Sequence, residues 1–138
     1  MKMSRTVAYG LQAMLMLAEE NRDTPVPCSE LAETGQMPER FLLQILRSLV
    51  THGVLVSTRG VEGGYRLARD ANEITLLNIF EAIEGPMESS IPVTEGFHEQ
   101  WQERVLAGLD QVTRATRKQL KAIKLSALMT KKKKGKTS

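Results

Sequence analysis

The order of elements between residues 38 and 67 constrains the fold of this 138-residue chain more than any other feature. Pro38 is a favourable first-turn residue, and the apolar spacing after it predicts a helix that ends near His52-Gly53. The β-branched run 54–59, a glycine-rich turn over 60–64 and the returning run 65–67 then predict a β-hairpin. The chain therefore places a glycine-turned hairpin directly after an amphipathic helix.

Two helices are predicted ahead of this unit. The first covers about residues 4–20 and is capped by Ser4. The second is short, covering about residues 29–34, with Ser29 as its cap and Gly35 as its stop. Helix, short helix, turn, helix and hairpin is the order of a winged helix-turn-helix. The predicted fold class is therefore mainly α (α+β).

The remaining chain is predicted to add a fourth helix and a long fifth one. Thr75 caps a helix over residues 76–84, and a long amphipathic helix covers about residues 98–123, followed by one last turn from Ser126. The predicted divisions are a winged helix-turn-helix domain (1–85), a loop (86–97), a dimerisation helix with its final turn (98–129) and a disordered lysine-rich tail (130–138).

Composition excludes several classes of protein. A single cysteine cannot form an internal disulfide or a zinc site built mainly from thiolates. The N-terminal apolar stretch has helical spacing and lacks a cleavage site, so we expect a core helix and not a signal peptide. No apolar run approaches the length of a membrane span. We expect a cytoplasmic protein without a membrane partner.

The basic character of the chain belongs to its C-terminal part. The net charge is +3 and the isoelectric point is about 9.2. From residue 101 to the end, eleven basic and two acidic residues carry +9, so residues 1–100 carry −6. The lysine tail can add non-specific attraction to DNA, or it can be a merely solvated end.

The predicted third helix carries a polar stripe suited to nucleic acid. At about 100° per residue, Arg40, Gln44, Arg47 and Thr51 fall within about 60° of one another. Arginine and glutamine can read guanine and adenine edges or hold phosphates. Every amphipathic helix has a solvated face, however, and that alternative stays open. The opposite arc is predicted to be core and holds Phe41, Leu42, Ile45, Leu46, Leu49 and Val50.

Two further segments extend this candidate surface. Arg59 stands at the mouth of the glycine turn, where it could enter a minor groove or clamp a phosphate. The turn's glycines have an alternative explanation in purely local backbone geometry. At the first helix, Ser4, Arg5 and Thr6 suit a phosphate at a helix N-terminus, although simple capping explains Ser4 as well.

The stretches YGLQAMLMLAEE, PVPCSELAE and FLLQILRSLVTHGVLVSTRGVEGGYRLARD resemble the Rrf2 superfamily of bacterial winged-helix regulators, which includes the iron–sulfur cluster regulators. The R-G-x-x-G-G-Y signature is the specific part of this resemblance, which covers residues 1–129. The resemblance implies a sequence-specific transcriptional repressor of the bacterial nucleoid. It would act as a homodimer that binds a pseudo-palindromic operator in double-stranded DNA.

The residues predicted for each surface follow from the stripe and the resemblance together. The predicted DNA-binding residues are Ser4, Arg5, Thr6, Glu39, Arg40, Gln44, Arg47, Thr51, Arg59, Gly60, Gly63 and Gly64. The predicted dimer interface is the apolar stripe of the long helix, formed by Trp101, Val105, Leu109, Val112, Thr116, Leu120 and Ile123. The alternative for this helix is packing within its own chain, which would be possible for its first half only.

The chain departs from cluster-binding relatives in the loop after the fourth helix. Such relatives resemble one another in carrying three cysteines there, whereas residues 86–97 contain none. His98 lacks thiolate partners, and Ala8 stands where nitric-oxide sensors place an acidic ligand. Iron–sulfur clusters need about four ligands, mostly thiolates. We therefore predict no cluster, no other metal and no cofactor. Leu43 and Glu62 are further departures, on the rim of the stripe and in the wing.

The signal that such a regulator would sense is left open between several candidates. Cys28 lies near a helix N-terminus, which would lower its thiol pKa and favour redox sensing, but free cysteines are commonly small buried hydrophobes. An unknown protein or small-molecule effector near residues 86–97 is another candidate. An interaction module that has lost specific DNA binding is the alternative function. No nucleophile with a base partner and no nucleotide fingerprint occurs, so an enzyme is not expected.

Overall fold

The structure is a computed structural model that describes residues 1–20 and 22–130. It is mainly helical, with one antiparallel pair of strands, and the predicted fold class is confirmed. Most of the predicted tail lies outside the described residues. The elements in chain order are α1 (Arg5–Glu19), α2 (Cys28–Gly35), α3 (Glu39–Thr51), β1 (Leu55–Thr58), β2 (Gly64–Leu67), a 3-10 turn (Ala71–Glu73), α4 (Leu76–Glu84), α5 (Glu99–Ala122) and α6 (Leu125–Leu128).

Two predicted helix caps are confirmed. The Ser4 hydroxyl accepts a hydrogen bond from the backbone N–H of Val7 at 3.1 Å, which satisfies a free donor of the first turn of α1. At α4, Thr75 and Asn78 form a reciprocal capping box with distances of 2.9 and 3.1 Å. These caps fix where α1 and α4 begin.

The predicted helix α2 is present, but the residues predicted to cap and to stop it are wrong. The helix begins at Cys28, after Pro27, and has no side-chain cap, so Ser29 lies inside it. The left-handed residue that ends the helix is Gln36, with a φ of 54°, and Gly35 remains helical. A Cβ on Gly35 would lie 2.8 Å from the Nε2 atom of Gln12, and that amide donates to the Gly35 carbonyl. Gly35 is therefore a packing glycine that lets α1 approach α2.

The core lies between the first three helices, the hairpin and α4. Fully buried side chains come from every one of these elements, and the hairpin joins the core through Leu55, which is paired with Leu67 in the sheet. The register runs from this pair to Thr58 opposite Gly64. The wing is consequently held at its base, and its turn extends from the domain.

The chain after α5 returns to the first domain. The backbone N–H of Leu76 donates to the Ile123 carbonyl at 2.9 Å, and the N–H of Leu125 donates to the Ile74 carbonyl at 2.8 Å. Leu125 is completely buried in the same core as α1 and α3. The domain division predicted from the sequence places this final turn, α6, with the dimerisation helix. In the structure, α6 packs with residues 1–85. Among the described residues, no helix is both long and apolar enough to span a bilayer.

Candidate nucleic-acid interface

The polar stripe of α3 is exposed as a continuous face. Arg40, Gln44, Arg47 and Thr51 are all exposed. The opposite side buries Leu42, Ile45, Leu46 and Leu49, which pack in the main core. The Thr51 hydroxyl donates to the Arg47 carbonyl at 2.9 Å, as a helical threonine commonly does. The face is thus available along the length of the helix.

Phe41 departs from the predicted arrangement of α3. The helical wheel places it in the core arc, but its side chain is 56% exposed. All residues from 38 to 41 are exposed, so the first turn of α3 projects from the domain and none of the described elements covers this ring. A wheel records direction around the axis and takes no account of where the neighbouring elements end. The prediction that Phe41 is core is wrong.

The glycines of the wing are required by close backbone contacts. A Cβ on Gly63 would lie 2.2 Å from the Thr58 carbonyl oxygen. At Gly64, with a φ of 152°, a Cβ would lie 2.4 Å from the carbonyl atoms of Val26. Gly60 has a φ of 108° and open space around it. Local backbone geometry accounts for Gly60 and Gly63, whereas Gly64 is required by the close approach of Val26, and any contact of these glycines with DNA would be made by their backbone.

A groove of about 590 Å³ separates α3 from the wing. It brings together Arg47 and Thr51 from α3 with Arg59 from the mouth of the hairpin turn. Two guanidinium groups and several hydroxyls line one open cleft, which is the chemistry that holds a phosphate strand. The lining residues are Pro27, Cys28, Arg47, Val50, Thr51, Ser57, Thr58, Arg59, Gly60, Gly63, Gly64 and Tyr65.

The charge in this region is not neutralised by neighbouring acids. Within residues 1–20 and 22–130, the ion pairs involve Arg22 with Glu30 and Arg117 with Glu81. No acidic side chain of this part of the chain pairs with Arg40, Arg47 or Arg59. These guanidinium groups are free to bind an external anion.

Tyr65 is a groove residue that the helical stripe did not identify. Burial raises the pKa of its phenol, the charge of Cys28 adds to this effect, and Arg47 opposes it. The phenol therefore stays protonated and can donate a hydrogen bond into the groove. The tyrosine that ends the R-G-x-x-G-G-Y signature was the sequence signal available for it.

The other predicted contact residues lie outside this groove. Glu39, Arg40 and Gln44 are exposed at the first half of α3. At α1, Arg5 is exposed and Thr6 is half-buried, while the Ser4 oxygen is engaged in capping. The structure thus distributes the predicted set over the groove, the leading half of α3 and the start of α1.

Cys28 lines the groove, but its environment is the opposite of the predicted one. Burial raises the pKa of the thiol, and the nearby carboxylate of Glu39 raises it further. The thiol lies 3.8 Å from the Glu39 carbonyl oxygen, to which it donates a weak hydrogen bond. Desolvation and a negative charge outweigh the partial positive charge of the helix N-terminus. The prediction that the thiol pKa is lowered is wrong.

The long helix α5 is divided between an exposed apolar face and a packed end. Trp101, Val105, Leu109 and Val112 are exposed by 56, 42, 37 and 62%. Thr116 is half-buried, and Ile123 is exposed by 36%.

Leu120 belongs to the packed end of α5. It is buried against Val7, Leu77 and Phe80 of its own chain, so it is a core residue and not an exposed part of the predicted interface. Contacts within the chain are made by the second half of the helix, because that half lies over α4. The alternative in which only the first half packs within the chain is therefore wrong.

The loop over residues 86–97 is tied to its surroundings by polar contacts. The Met87 N–H donates to the Glu81 carboxylate at 2.8 Å, and the hydroxyls of Ser89 and Thr113 lie 2.5 Å apart. His98 occupies the N-cap position of α5, and its ring stands edge-on to Trp101 with centroids 4.4 Å apart.

The donor set around this loop does not fit an iron–sulfur cluster. The loop offers hydroxyl and carboxylate oxygens and a thioether, but no thiolate. In the described part of the chain, no group of three or more histidine, cysteine or acidic side chains is placed to hold a metal ion.

Comparisons with known proteins agree with this architecture. In sequence, the chain is 35% identical over 95 residues to the HTH-type transcriptional regulator CymR of Bacillus subtilis, covering 69% of this chain and 68% of that protein. It is 39% identical over 89 residues to an HTH-type transcriptional regulator of Mycobacterium tuberculosis, covering 64% of this chain. The match spans 55% of the length of that relative.

Solved structures show the same fold. The global cysteine regulator CymR of B. subtilis superimposes with a TM-score of 0.70 at 29% identity, covering 93% of this chain and 95% of that one. IscR of T. potens gives a TM-score of 0.69 at 27% identity, covering 93% and 85%.

These relatives are transcriptional regulators, which confirms the prediction that the chain is not an enzyme. The family profile of Rrf2, described as an iron-dependent transcriptional regulator, matches residues 3–131. The predicted resemblance is confirmed, and the chain belongs to the Rrf2 family.

Proposed function

We propose that this protein is a DNA-binding transcriptional regulator that acts in the cytoplasm as a homodimeric repressor. The observation that carries the proposal is the groove between α3 and the wing, where Arg47 and Arg59 line one cleft and have no acidic partner among the described residues. Its regulator relatives CymR and IscR support the same activity.

The proposed DNA complex places α3 in the major groove. Arg40 and Gln44, on the exposed first half of the helix, reach base edges there. Arg47 and Arg59 hold the phosphates of a strand that lies in the groove between α3 and the wing. Arg5 at the start of α1 adds a contact to a neighbouring phosphate.

The proposed dimer joins two chains through α5. Four large apolar side chains on its first four turns are exposed, and burying them against a second copy removes them from water. A two-fold dimer presents two α3 helices to the DNA and so matches a pseudo-palindromic operator. The interface comprises Trp101, Val105, Leu109, Val112 and the adjoining Thr116.

We also propose that the protein works without an iron–sulfur cluster or another cofactor. The donor set of the loop and the single cysteine support this, although the family is described as iron-dependent. An ultraviolet–visible spectrum of anaerobically purified protein tests it. We expect no sulfide-to-iron absorption, and a visible band that is lost with the bound iron would contradict the proposal.

The signal is proposed to act on the groove or on the loop after α4. Cys28 is a candidate redox sensor because it lines the groove, but its raised pKa leaves little thiolate at neutral pH. A protein or small-molecule effector at the loop over residues 86–97 is the other candidate. The alternative function, an interaction module without specific DNA binding, is tested by the same DNA experiment.

Gel shifts against the DNA upstream of the protein's own gene, at several salt concentrations, test the proposed function. We expect Arg59→Ala to weaken binding to all sequences and to reduce the salt slope by about 1. Gln44→Ala should cost about 1–3 kcal/mol and relax preference at one base pair. Arg69→Ala is the matched control, because this exposed arginine does not line the groove.

Absence of DNA binding even at low salt would contradict the proposed function and favour the interaction module. The repressor role is tested by a reporter fused to the same upstream DNA. We expect its expression to rise when the regulator is removed and to fall when wild-type protein is restored. A fall on removal would identify an activator instead.

A further inference from the structure

Phe41 is an exposed aromatic ring on the helix that is proposed to enter DNA. Its side chain is 56% exposed, and the described residues that form the two apolar clusters do not include it. A large apolar side chain on a projecting helical turn contributes little to folding. Its presence there is explained if the ring is covered in a complex.

The surroundings of Phe41 identify the kind of surface that would cover it. Phe41 directly follows Arg40 in α3. Around the helix axis it lies about 60° from Gln44, which is three residues further along the chain. Arg47 lies one turn beyond Gln44 on the same exposed face. The ring is therefore an apolar spot inside a cationic, hydrogen-bonding surface.

Double-stranded DNA offers a matching pattern in its major groove. The 5-methyl group of thymine is the apolar feature of a base edge there, and phosphates line both sides of the groove. Glutamine pairs with the N6 and N7 atoms of adenine. An aromatic ring beside a glutamine therefore matches neighbouring thymine and adenine edges. The flanking arginines match the phosphates on either side of the groove.

We propose that Phe41 packs on the 5-methyl group of a thymine, beside an adenine that Gln44 reads. This inference rests on the proposed function and names a specificity-determining residue for it. The other rim of the stripe contributes less apolar surface, because Leu43 there is half-buried. Phe41 is thus the main apolar reader, and each half-site contains a thymine at the position it contacts.

The experiment compares duplexes that differ by single methyl groups. Tight-binding duplexes are first selected from random-sequence DNA with the full-length wild-type protein. Each thymine of the best duplex is then replaced by deoxyuridine, which removes the methyl group and retains base pairing. Affinities are measured for wild type, Phe41→Ala and Phe41→Leu, with Val93→Ala as the control at another exposed apolar side chain, 91% exposed.

We expect one thymine in each half-site at which deoxyuridine lowers wild-type affinity about fourfold, the effect of one buried methyl group. Phe41→Ala should bind more weakly and lose this sensitivity, while Phe41→Leu should keep part of it. The salt slope of Phe41→Ala should equal that of wild type, because no phosphate contact is lost. Val93→Ala should behave as wild type in every respect.

Several results would overturn the inference. Wild-type protein that binds thymine and deoxyuridine duplexes equally at every position shows that no methyl group is read. Equal methyl sensitivity in Phe41→Ala shows that another residue reads it. If specific duplexes are selected but methyl reading by Phe41 fails either of these tests, the proposed function still stands. If no duplex is enriched, both the proposed function and the role of Phe41 are overturned. Circular dichroism of the variants checks that each one is folded.

Discussion

The guanidinium group of Arg117 on α5 forms an ion pair with the carboxylate of Glu81 on α4. The same carboxylate accepts the backbone N–H of Met87, the residue that enters the loop after α4. A second contact, between the hydroxyls of Ser89 and Thr113, fastens this loop to the middle of α5. The second half of α5 and the loop are therefore held to the winged domain by side-chain polar contacts.

Removal of this ion pair should weaken the attachment of α5 measurably. We expect Arg117→Ala to lower the free energy of unfolding by about 1 kcal/mol, a modest amount because both partners are partly exposed. Urea denaturation measures it, and Arg114→Ala, an exposed arginine on the same helix, is the control. Equal stabilities of the two variants would show that the ion pair contributes nothing.

The two parts of the α5 stripe should respond differently to substitution. Leu109→Glu places a charge on the exposed apolar face. In analytical sedimentation we expect this variant to be a monomer and the wild-type protein to be a dimer. Leu120→Ala removes a side chain buried against α1 and α4, so it should cost about 2–4 kcal/mol of stability. The dimer should persist in folded Leu120→Ala.

Protein concentration is held constant in these measurements, because dimerisation itself adds to apparent stability. A monomeric wild-type protein would contradict the proposed dimer. Dissociation caused by Leu120→Ala but not by Leu109→Glu would show that the roles of the two leucines are reversed.

Much of the fold follows from local signals in the sequence. The caps at Ser4 and Thr75 are short-range interactions between residues three apart, so a single sequence identifies them. Gly60 and Gly63 of the wing turn are local in the same sense, because their constraints come from the turn itself. These features, together with the apolar period of α3 and α5, are sufficient to predict a winged helix-turn-helix.

The sequence predictions that the structure contradicts concern places where distant parts of the chain meet. Exposure of Phe41 depends on where the elements beside α3 end, and burial of Leu120 depends on which half of α5 lies over α4. The raised pKa of Cys28 requires the nearby Glu39 and the burial that only the folded chain provides. Local sequence predicts Gly35 as a helix stop, whereas its actual role is a close contact with Gln12, 23 residues away.

The raised pKa of Cys28 should slow its alkylation. At neutral pH we expect iodoacetamide to react more slowly with folded protein than with the urea-unfolded chain, because the thiolate is the nucleophile and is scarcer in the folded state. The pH at which the alkylation rate rises should be higher for the folded protein than for the unfolded chain. Glu39→Gln removes one cause of the shift and should speed the reaction, whereas Glu33→Gln on α2 should not. A faster reaction of the folded protein would contradict the burial effect.

The close contact at Gly64 should make this position intolerant of a side chain. We expect Gly64→Ala to cost about 2 kcal/mol or more, because its Cβ would meet the Val26 carbonyl group and its φ of 152° suits glycine. The paired hydrogen bonds between Val26 and Tyr65, at 2.8 and 3.0 Å, would be displaced. Gly96→Ala, which meets open space, is the control in urea denaturation. Equal midpoints would contradict the close approach.

The negative charge of Glu62 in the wing turn should oppose DNA binding. Glu62 is exposed within the turn that follows Arg59, so it repels the phosphates that the arginine attracts. We expect Glu62→Gln to raise affinity about two- to fivefold at low salt, equally for all sequences, with the gain shrinking as salt is added. Fluorescence anisotropy with labelled duplexes measures this gain. Glu84→Gln makes the same change in net charge at the end of α4 and should leave the affinity nearly unchanged. An equal gain in both variants would mean that overall charge, and not the position of Glu62 in the wing, controls the affinity.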